Sequence, residues 1–222
     1  MSRPLIVAID GPSGVGKTTT SKLVARELNL PHIDTGAMYR AIGLAALRQG
    51  LDVRDAAVME ALANRSHIEF LPGDRPRITL DGEDVTPLIR TPPVSMAASD
   101  VSAIPGVRRI LVRLQQELGA SSGGVLEGRD IGTKVFPDTP HKFFLTASPE
   151  VRADRRYREL LAKGVTVDRD SVLAEARVRD EQDSSRADSP LTYDETYQVI
   201  DTSALTIPDV VQRIVDSVRE KA

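Results

Sequence analysis

The feature that most limits the fold of this chain is a glycine-rich segment at residues 11–18, Gly-Pro-Ser-Gly-Val-Gly-Lys-Thr. It matches the pattern G-x-x-x-x-G-K-[ST], in which glycines let backbone N–H groups converge on a phosphate. The apolar run Leu5–Ile9 precedes it and a helical apolar pattern from Lys17 to Leu28 follows it. This context places the segment between a buried strand and a helix N-terminus, which adds positive potential at the same point. We therefore predict an α/β fold that binds a nucleotide.

The motif assigns chemistry to two side chains of this loop. Lys17 is expected to reach the β- and γ-phosphates of ATP, and the hydroxyl of Thr18 is expected to bind Mg²⁺, the predicted cofactor. The predicted ATP-binding residues of the loop are Gly11, Pro12, Ser13, Gly14, Val15, Gly16, Lys17, Thr18 and Thr19. A GTPase would also need an N-K-x-D segment to read guanine, and the sequence contains no Asn-Lys pair.

The rest of the chain alternates between short apolar runs and helical patterns. Strand-like runs recur at residues 124–126, 143–145 and 198–200, and helical patterns cover residues 35–48, 105–118, 149–163, 171–183 and 208–219. Such alternation is typical of a doubly wound, parallel α/β sheet. Because 222 residues are too few for two large domains, we predict one α/β core.

One stretch departs from this alternation. Residues 67–71, 77–80 and 83–85 are short and strand-like, and Pro-Gly-Asp and Asp-Gly turn signals separate them. Their spacing predicts a small antiparallel insertion at residues 66–85. The core is then expected to comprise residues 1–65 and 86–222.

The charge balance limits the partners of the chain. The sequence has 23 arginines, six lysines and a net charge of −3, with no basic tract, so general nucleic-acid binding is not expected. The absence of cysteine excludes thiolate metal sites and disulfides. The apolar start at residues 4–9 is too short for a signal peptide or a membrane span, so a cytoplasmic protein without a membrane partner is predicted.

The arginine surplus has two explanations at this point. Arginine presents a rigid, always charged fork that suits phosphate groups, whereas a GC-rich genome would also favour its codons. Arg152, Arg155 and Arg156 fall on one side of a predicted helix, and a second stripe consists of Arg179, Asp183 and Arg186. Surface ion pairs, which contribute little, are the alternative reading of both groups.

Two further motifs lie in predicted strand-to-helix loops. Thr35-Gly36 opens a helix that carries Arg40, and Gly128-Arg129-Asp130 directly follows a strand. Such loops of a parallel sheet lie at the carboxyl ends of the strands, where ligands bind. Arg40 and Arg129 are therefore expected to face the same crevice as Lys17. A simple helix N-cap is the alternative role for Thr35.

At these residues the chain resembles the bacterial cytidylate kinases, of the nucleoside monophosphate kinase group, essentially from end to end. The segments that carry the resemblance are Ile9–Lys17, Asp34–Arg40, Gly82–Val85, Ile89–Thr91, Val107–Arg108, Gly128–Thr133, Val135–Asp138 and Arg179–Asp180. The resemblance implies a five-stranded parallel sheet with helices on both faces, an antiparallel insertion over the acceptor site, and a short lid at about residues 150–163.

The resemblance also implies roles for individual residues. Ser99, Arg108 and Asp130 would read the cytosine, Arg40, Arg129 and Arg186 would hold the acceptor phosphate, and Arg179 and Asp183 would lie at the pentose. Thr35 completes the predicted CMP-binding set, and Arg152 is a further ATP-binding residue. The predicted catalytic residues are Lys17, Arg129, Arg155 and Arg156. Thr35 stands where the family often has Ser, and Glu127 where it often has Asp, so a role of Glu127 near the metal is left open.

The implied reaction transfers the γ-phosphoryl group of ATP to CMP or dCMP, giving ADP and CDP or dCDP, as a step of pyrimidine nucleotide metabolism, in a monomeric enzyme. The acceptor oxygen is already anionic near neutral pH, so no general base is required. Two alternatives stay open. One is a P-loop kinase that phosphorylates an alcohol with Asp34 as the base, and the other is a switch protein that hydrolyses ATP slowly for a partner. The preference between CMP and UMP is also open.

Overall fold

The computed structural model describes residues 4–71, 76–162, 164–186 and 188–221. These residues divide into two compact units, and each is described by itself. One unit comprises residue 4 and residues 31–123, and the other comprises residues 5–30 and 124–221.

Strands form two sheets. The strands are β1 (Ile6–Asp10), β2 (His32–Asp34), β3 (Ile68–Leu71), β4 (Arg77–Leu80), β5 (Glu83–Asp84), β6 (Gly124–Gly128), β7 (His141–Thr146) and β8 (Gln198–Asp201). The first sheet has the order β2-β6-β1-β7-β8. Its strand β1 is buried at every residue and runs parallel to β6 and β7, with Ile9 opposite Glu127 and Phe143. A strand that is flanked on both sides and buried on both faces consists of one continuous apolar run, which explains why the sequence predicted β1. The predicted five-stranded parallel sheet is confirmed.

Helices make up much of the rest of the described chain. They are α1 (Lys17–Glu27), α2 (Thr35–Arg48), α3 (Ala56–Arg65), α4 (Pro92–Ser102), α5 (Pro105–Ser122), α6 (Pro149–Ala162), α7 (Arg169–Ser184) and α8 (Ile207–Glu220). Pro105, Pro149 and Pro208 occupy first-turn positions, where the missing N–H costs no hydrogen bond. A capping box between Thr206 and Asp209 begins α8. No helix in the described part of the chain is long and apolar enough to cross a membrane.

The second sheet is antiparallel, with the order β3-β4-β5. Ile68 lies opposite Leu80 in its first ladder. Asp81 and Gly82 connect β4 to β5 with φ angles of 52° and 85°, which is the left-handed pair that a two-residue hairpin favours. The predicted antiparallel insertion is therefore present. The Pro-Gly-Asp turn predicted at residues 72–74 lies outside the described residues, and the division at residues 66 and 85 stays a prediction.

Each unit has its own apolar core. In residues 31–123 the fully buried side chains include Met38, Ile42 and Leu111. In the other unit they include Ile9, Phe143, Leu145 and Ile214. Burying one such side chain contributes about 1.5–3 kcal/mol, so these clusters supply the stability that holds the loops at the strand ends in place. A smaller cluster of Ala153, Leu160 and Val172 joins α6 to α7.

The sequence did not predict four elements. Strand β2 has three residues and α3 has ten, so each is too short to show a clear apolar period. Helix α4 begins with two prolines and is rich in alanine and serine, which obscures its period. The fourth element is a π-helical turn at Ile131–Val135, a form that often marks a functional site. The helix predicted at residues 149–163 ends at Ala162 among the described residues.

Candidate active site

The P-loop joins β1 to α1 and depends on glycine at particular positions. Gly11, Gly14 and Gly16 have φ angles of 146°, 80° and 92°. A Cβ atom at Gly11 would lie 2.2 Å from the carbonyl oxygen of Leu145 on β7. The chain therefore turns its backbone here in a conformation that L side chains rarely adopt, and N–H groups become available to a phosphate.

Lys17, the first residue of α1, extends its side chain back to this loop. Its Nζ donates hydrogen bonds to the carbonyl oxygens of Gly11 and Pro12, both at 2.7 Å, and the residue is buried. Burial, together with the nearby charge of Arg129, lowers the pKa of Lys17 well below its ordinary value, while Glu127 and Asp183 act in the opposite sense. Lys17 therefore belongs to a cluster of charges at the carboxyl ends of β1 and β6.

Glu127 is the residue whose role the sequence left open. It is 3% exposed near the end of β6, and its Oε2 accepts a hydrogen bond of 2.9 Å from the Thr18 hydroxyl. Mg²⁺ is bound through oxygen atoms, commonly one or two protein groups together with substrate phosphates. The hydroxyl of Thr18 and the carboxylate of Glu127 fit that requirement, and the described residues contain no group of three or more acidic, histidine or cysteine side chains that would suit a larger metal cage.

Asp183 connects the Gly128-Arg129-Asp130 loop to α7. Its Oδ2 accepts a hydrogen bond of 2.7 Å from Arg129 Nε, and its Oδ1 accepts one from Arg186 Nη2. Burial alone would raise the pKa of Asp183, but the positive charges of Arg129 and Arg186 hold it below its ordinary value. Arg129 and Arg186, both predicted to bind the acceptor phosphate, are thus oriented by one buried carboxylate that stays ionised. Arg179 lies one turn before Asp183 on the same helix and also lowers its pKa.

Asp10, at the end of β1, holds the other side of the same loop. Its carboxylate is fully buried and accepts hydrogen bonds of 2.9 Å from the backbone N–H groups of Ile131 and Gly132 and from the Tyr197 hydroxyl. These amides directly follow Arg129 and Asp130. The residue before the P-loop therefore fixes the position of the loop that carries the predicted phosphate and cytosine ligands of this unit.

We expect Asp10 to make the stability of the chain depend on pH. Burial raises the pKa of Asp10 to about 6, despite the opposing hydrogen bonds from Gly132 and Ile131. Between about pH 4 and pH 6 the folded state therefore binds a proton that the unfolded state has lost, so stability from this group is present at low pH and is lost as the pH rises through 6. Relative to Asp10→Asn, the wild type should lose about 2 kcal/mol of unfolding free energy between pH 4.5 and pH 7, measured by urea denaturation. A difference that does not change with pH would contradict this assignment.

The three predicted lid arginines have partners within their own unit. Arg152 is buried and donates to both carboxylate oxygens of Asp180, at 3.0 and 2.6 Å, and to the P-loop carbonyl of Ser13 at 3.2 Å. Arg155 donates to the carbonyl oxygen of Thr202 at 2.6 Å, and Arg156 donates to a carboxylate one turn along α6. Arg152 is thus a direct contact of the P-loop, whereas Arg155 and Arg156 would exchange these bonds to reach a phosphate.

In the unit of residues 31–123, Asp34 organises the start of α2. Its Oδ1 accepts a hydrogen bond from the backbone N–H of Ala37, so Asp34, and not Thr35, is the N-cap. Its Oδ2 accepts hydrogen bonds from Arg40 at 2.7 Å and from Arg90 at 2.8 Å. Burial would raise the pKa of Asp34, but the two guanidinium groups lower it overall. A carboxylate with a lowered pKa and two cationic partners is a poor proton acceptor.

The predicted cytosine-binding residues of this unit lie on α4 and α5. Arg108 is 2% exposed, donates to the carbonyl oxygen of Ser102 at 3.1 Å, and lies 5.6 Å from the centre of the Tyr39 ring. Ser99 is half-buried on α4, and its carbonyl oxygen accepts a hydrogen bond from Ser102. The ring of Tyr39, one residue before Arg40, thus packs against the arginine predicted to read the base.

The sequence motifs assign no role to Asp10, Arg90 or Tyr197. For Asp10 a signal existed, because an ionisable residue that ends a fully apolar strand must be paired or hydrogen-bonded when it is buried. For Arg90 and Tyr197 no local pattern was available, since their partners lie 56 and 187 residues away in sequence.

Comparison with known proteins is consistent with these observations. A family model described as Cytidylate kinase matches residues 7–220. The cytidylate kinase of Syntrophotalea carbinolica is 48% identical over 222 residues, covering 100% of this chain and 94% of the relative. That of Mycobacterium leprae is 48% identical over 219 residues, covering 98% and 97%. A crystal structure of an uncharacterized protein from Eubacterium ventriosum has a TM-score of 0.57 at 13% identity, covering 98% of this chain and 99% of that one, which supports the fold alone.

Proposed function

This chain belongs to the cytidylate kinase family, and we propose that it transfers the γ-phosphoryl group of ATP to CMP or dCMP, giving ADP and CDP or dCDP. The observation that supports this most is the placement of two cationic side chains at the P-loop. Lys17 donates to the carbonyl oxygens of Gly11 and Pro12, and Arg129, whose charge acts on Lys17, is held by Asp183 at 2.7 Å. Two polyanions that react with one another need such positive charge at the point of transfer.

On the donor side, the P-loop amides of residues 11–19, Lys17 and Arg152 are the proposed ATP-binding groups. Lys17 would exchange its two carbonyl acceptors for oxygens of the β- and γ-phosphates. Thr18 and Glu127 would hold Mg²⁺, which supplies charge neutralisation between the phosphates when bound. Arg152 would act through the Ser13 carbonyl that it contacts, and so hold the loop in its phosphate-binding shape.

On the acceptor side, the proposed CMP-binding residues are those that the family resemblance implies. They are Thr35, Arg40, Ser99, Arg108, Arg129, Asp130, Arg179, Asp183 and Arg186. The chemistry of cytosine supports Asp130 as a base-reading residue, because a carboxylate accepts a hydrogen bond from the N4 amine of cytosine and would repel the carbonyl oxygen of uracil at the same position. Arg129 and Arg186, oriented by Asp183, supply charged donors for the phosphate.

The mechanism we propose needs no general base. The attacking oxygen belongs to a phosphate monoester whose second pKa is about 6, so it is already ionised near neutral pH. The protein then has to align donor and acceptor in line, exclude water and neutralise the transferring group, for which Lys17, Arg129, Arg155 and Arg156 are the proposed residues. An alcohol acceptor would instead require a base, and the paired state of Asp34 argues against the candidate that the sequence offered.

A panel of acceptors tests this proposal. ADP formation from ATP and Mg²⁺ is measured with CMP, dCMP, UMP, AMP, shikimate and no acceptor. We expect stimulation by CMP and dCMP at least tenfold above the level without acceptor, and weaker stimulation by UMP because its carbonyl meets Asp130. Stimulation by shikimate alone would favour an alcohol kinase, and turnover that ignores every acceptor would favour an ATP hydrolase. Cytoplasmic location and a monomeric state remain predictions.

A further inference from the structure

The group formed by Asp34, Arg40 and Arg90 has more positive charge than its own contacts require. One carboxylate, 11% exposed, accepts hydrogen bonds from two guanidinium groups on the same oxygen, at 2.7 and 2.8 Å. The group therefore carries one unit of positive charge in excess, at the point where α2 begins. In the same unit Arg48 and Glu83 form a pair without excess charge, with two hydrogen bonds of 2.6 and 2.8 Å.

Most donors of this group have no acceptor within the described part of the chain. A guanidinium has five N–H groups, and Arg40 and Arg90 each give one of theirs to Asp34. The Nε of Arg40 is buried and makes no hydrogen bond to any described residue. Because a buried donor without an acceptor is costly, this geometry is expected where a ligand supplies the acceptor.

Glycine at position 36 and the exposure of Arg90 keep the group uncrowded. A Cβ atom at Gly36 would lie 3.2 Å from both Arg40 Nη1 and Asp34 Oδ1, so a larger residue there would crowd the group. Arg90 is 45% exposed, while its neighbour Ile89 is buried and anchors the backbone. Arg90 thus has a fixed backbone, one fixed bond to Asp34 and an accessible guanidinium.

We infer that Arg90 is a further phosphate-binding residue, which acts beside Arg40 on the phosphate of the acceptor nucleotide and is oriented by Asp34. This inference rests on the proposed function and adds to it a residue that neither the sequence motifs nor the family resemblance assigned. A phosphate monoester carries nearly two negative charges at neutral pH, and two guanidinium forks match it in charge and in hydrogen-bond geometry.

Substitution of Arg90 by methionine tests the inference, with Arg48→Met as the matched control. Both side chains are accessible arginines of the same unit that pair with a carboxylate, and only Arg90 belongs to the group with excess charge. Steady-state rates are measured with CMP and ATP varied in turn, and binding of CMP and of cytidine is measured by calorimetry. For R90M we expect the KM and Kd for CMP to rise at least tenfold, with the KM for ATP and any binding of cytidine unchanged. For R48M we expect no change above twofold.

The Arg90→Lys variant keeps the charge and removes the fork, and its Kd for CMP is expected to lie between those of wild type and R90M. If R90M does not fold, the Kd of R90K for CMP alone tests the phosphate role of Arg90. A Kd for CMP within twofold of wild type in R90K and R90M, or an equal loss of cytidine and CMP binding, would overturn the phosphate role while leaving the proposed kinase intact. A wild-type enzyme that neither binds CMP nor responds to it would overturn the proposed function and this inference together.

Discussion

Replacement of Lys17 by alanine is expected to lower kcat with ATP and CMP by about 10³-fold or more while the fold persists. The ammonium group donates to two P-loop carbonyls and lies at the centre of the charge cluster, where it would meet the transferring phosphoryl group. Its removal leaves the charge that develops during transfer without its nearest cation. Folding should survive, because burial lowers the pKa of this lysine and its charge is therefore a cost to the folded state.

Lys22→Ala is the matched control for this prediction. Lys22 lies on the same helix, five residues further on, and is exposed. Its loss should leave kcat within twofold and the melting temperature unchanged. The kcat of each variant is measured from initial rates at saturating ATP and CMP, and its melting temperature from a thermal melt. If Lys17→Ala had the kcat of wild type, Lys17 would not take part in the reaction, whatever the family of the chain.

Arg129→Ala is expected to produce the second largest loss, about 10²- to 10³-fold in kcat/KM for CMP. Arg129 is proposed to hold the acceptor phosphate, and its Nε is fixed by Asp183 at 2.7 Å. Unlike Lys17, it also compensates a buried carboxylate, so its removal should lower the melting temperature by a few degrees. The remaining pair between Asp183 and Arg186 should keep the protein folded.

The control for Arg129 is Arg213→Ala, an exposed arginine of α8 in the same unit. Both kcat/KM for CMP and the melting temperature should stay at the wild-type value for this variant. The decisive comparison is the CMP dependence of the rate at saturating ATP. If Arg129→Ala melted earlier but kept its kcat/KM for CMP, the residue would be structural and its assignment to the acceptor phosphate would be wrong.

The parts of the fold that the sequence predicted are those whose cause is local. The run from Leu5 to Ile9 and the eight residues that follow contain the strand, the loop and the helix start within one short segment. The hairpin at Asp81 and Gly82 is equally local, since its left-handed backbone angles need those residue types. By contrast, the residues of β2 and α4 show no apolar periodicity that would predict a strand or a helix.

The sequence suggests which residue types form the candidate site, but it does not predict how they pair. The motifs named Lys17, Thr18 and Arg129, because phosphate chemistry demands those groups at that spacing. The carboxylates that orient them, Glu127 and Asp183, act across 109 and 54 residues of sequence, so no local rule connects them. The same holds for the pairing of Arg90 with Asp34.

The arginine surplus is accordingly explained in part. Some arginines belong to the phosphate-binding groups proposed above. Others form ion pairs away from those groups, as Arg48 does with Glu83 and Arg169 does with Asp154 at 2.6 Å. Such exposed pairs contribute little to stability, so the ordinary codon preference of a GC-rich genome is a sufficient reason for them.

Transfer to CMP can be observed by following the phosphoryl group itself. Wild-type protein is incubated with Mg²⁺, CMP and ATP labelled in the γ-phosphoryl group, and the labelled products are separated by chromatography. We expect label in CDP, in amounts equal to the ADP formed, and no comparable transfer by Lys17→Ala. Label released as inorganic phosphate at a rate that does not depend on CMP would contradict it.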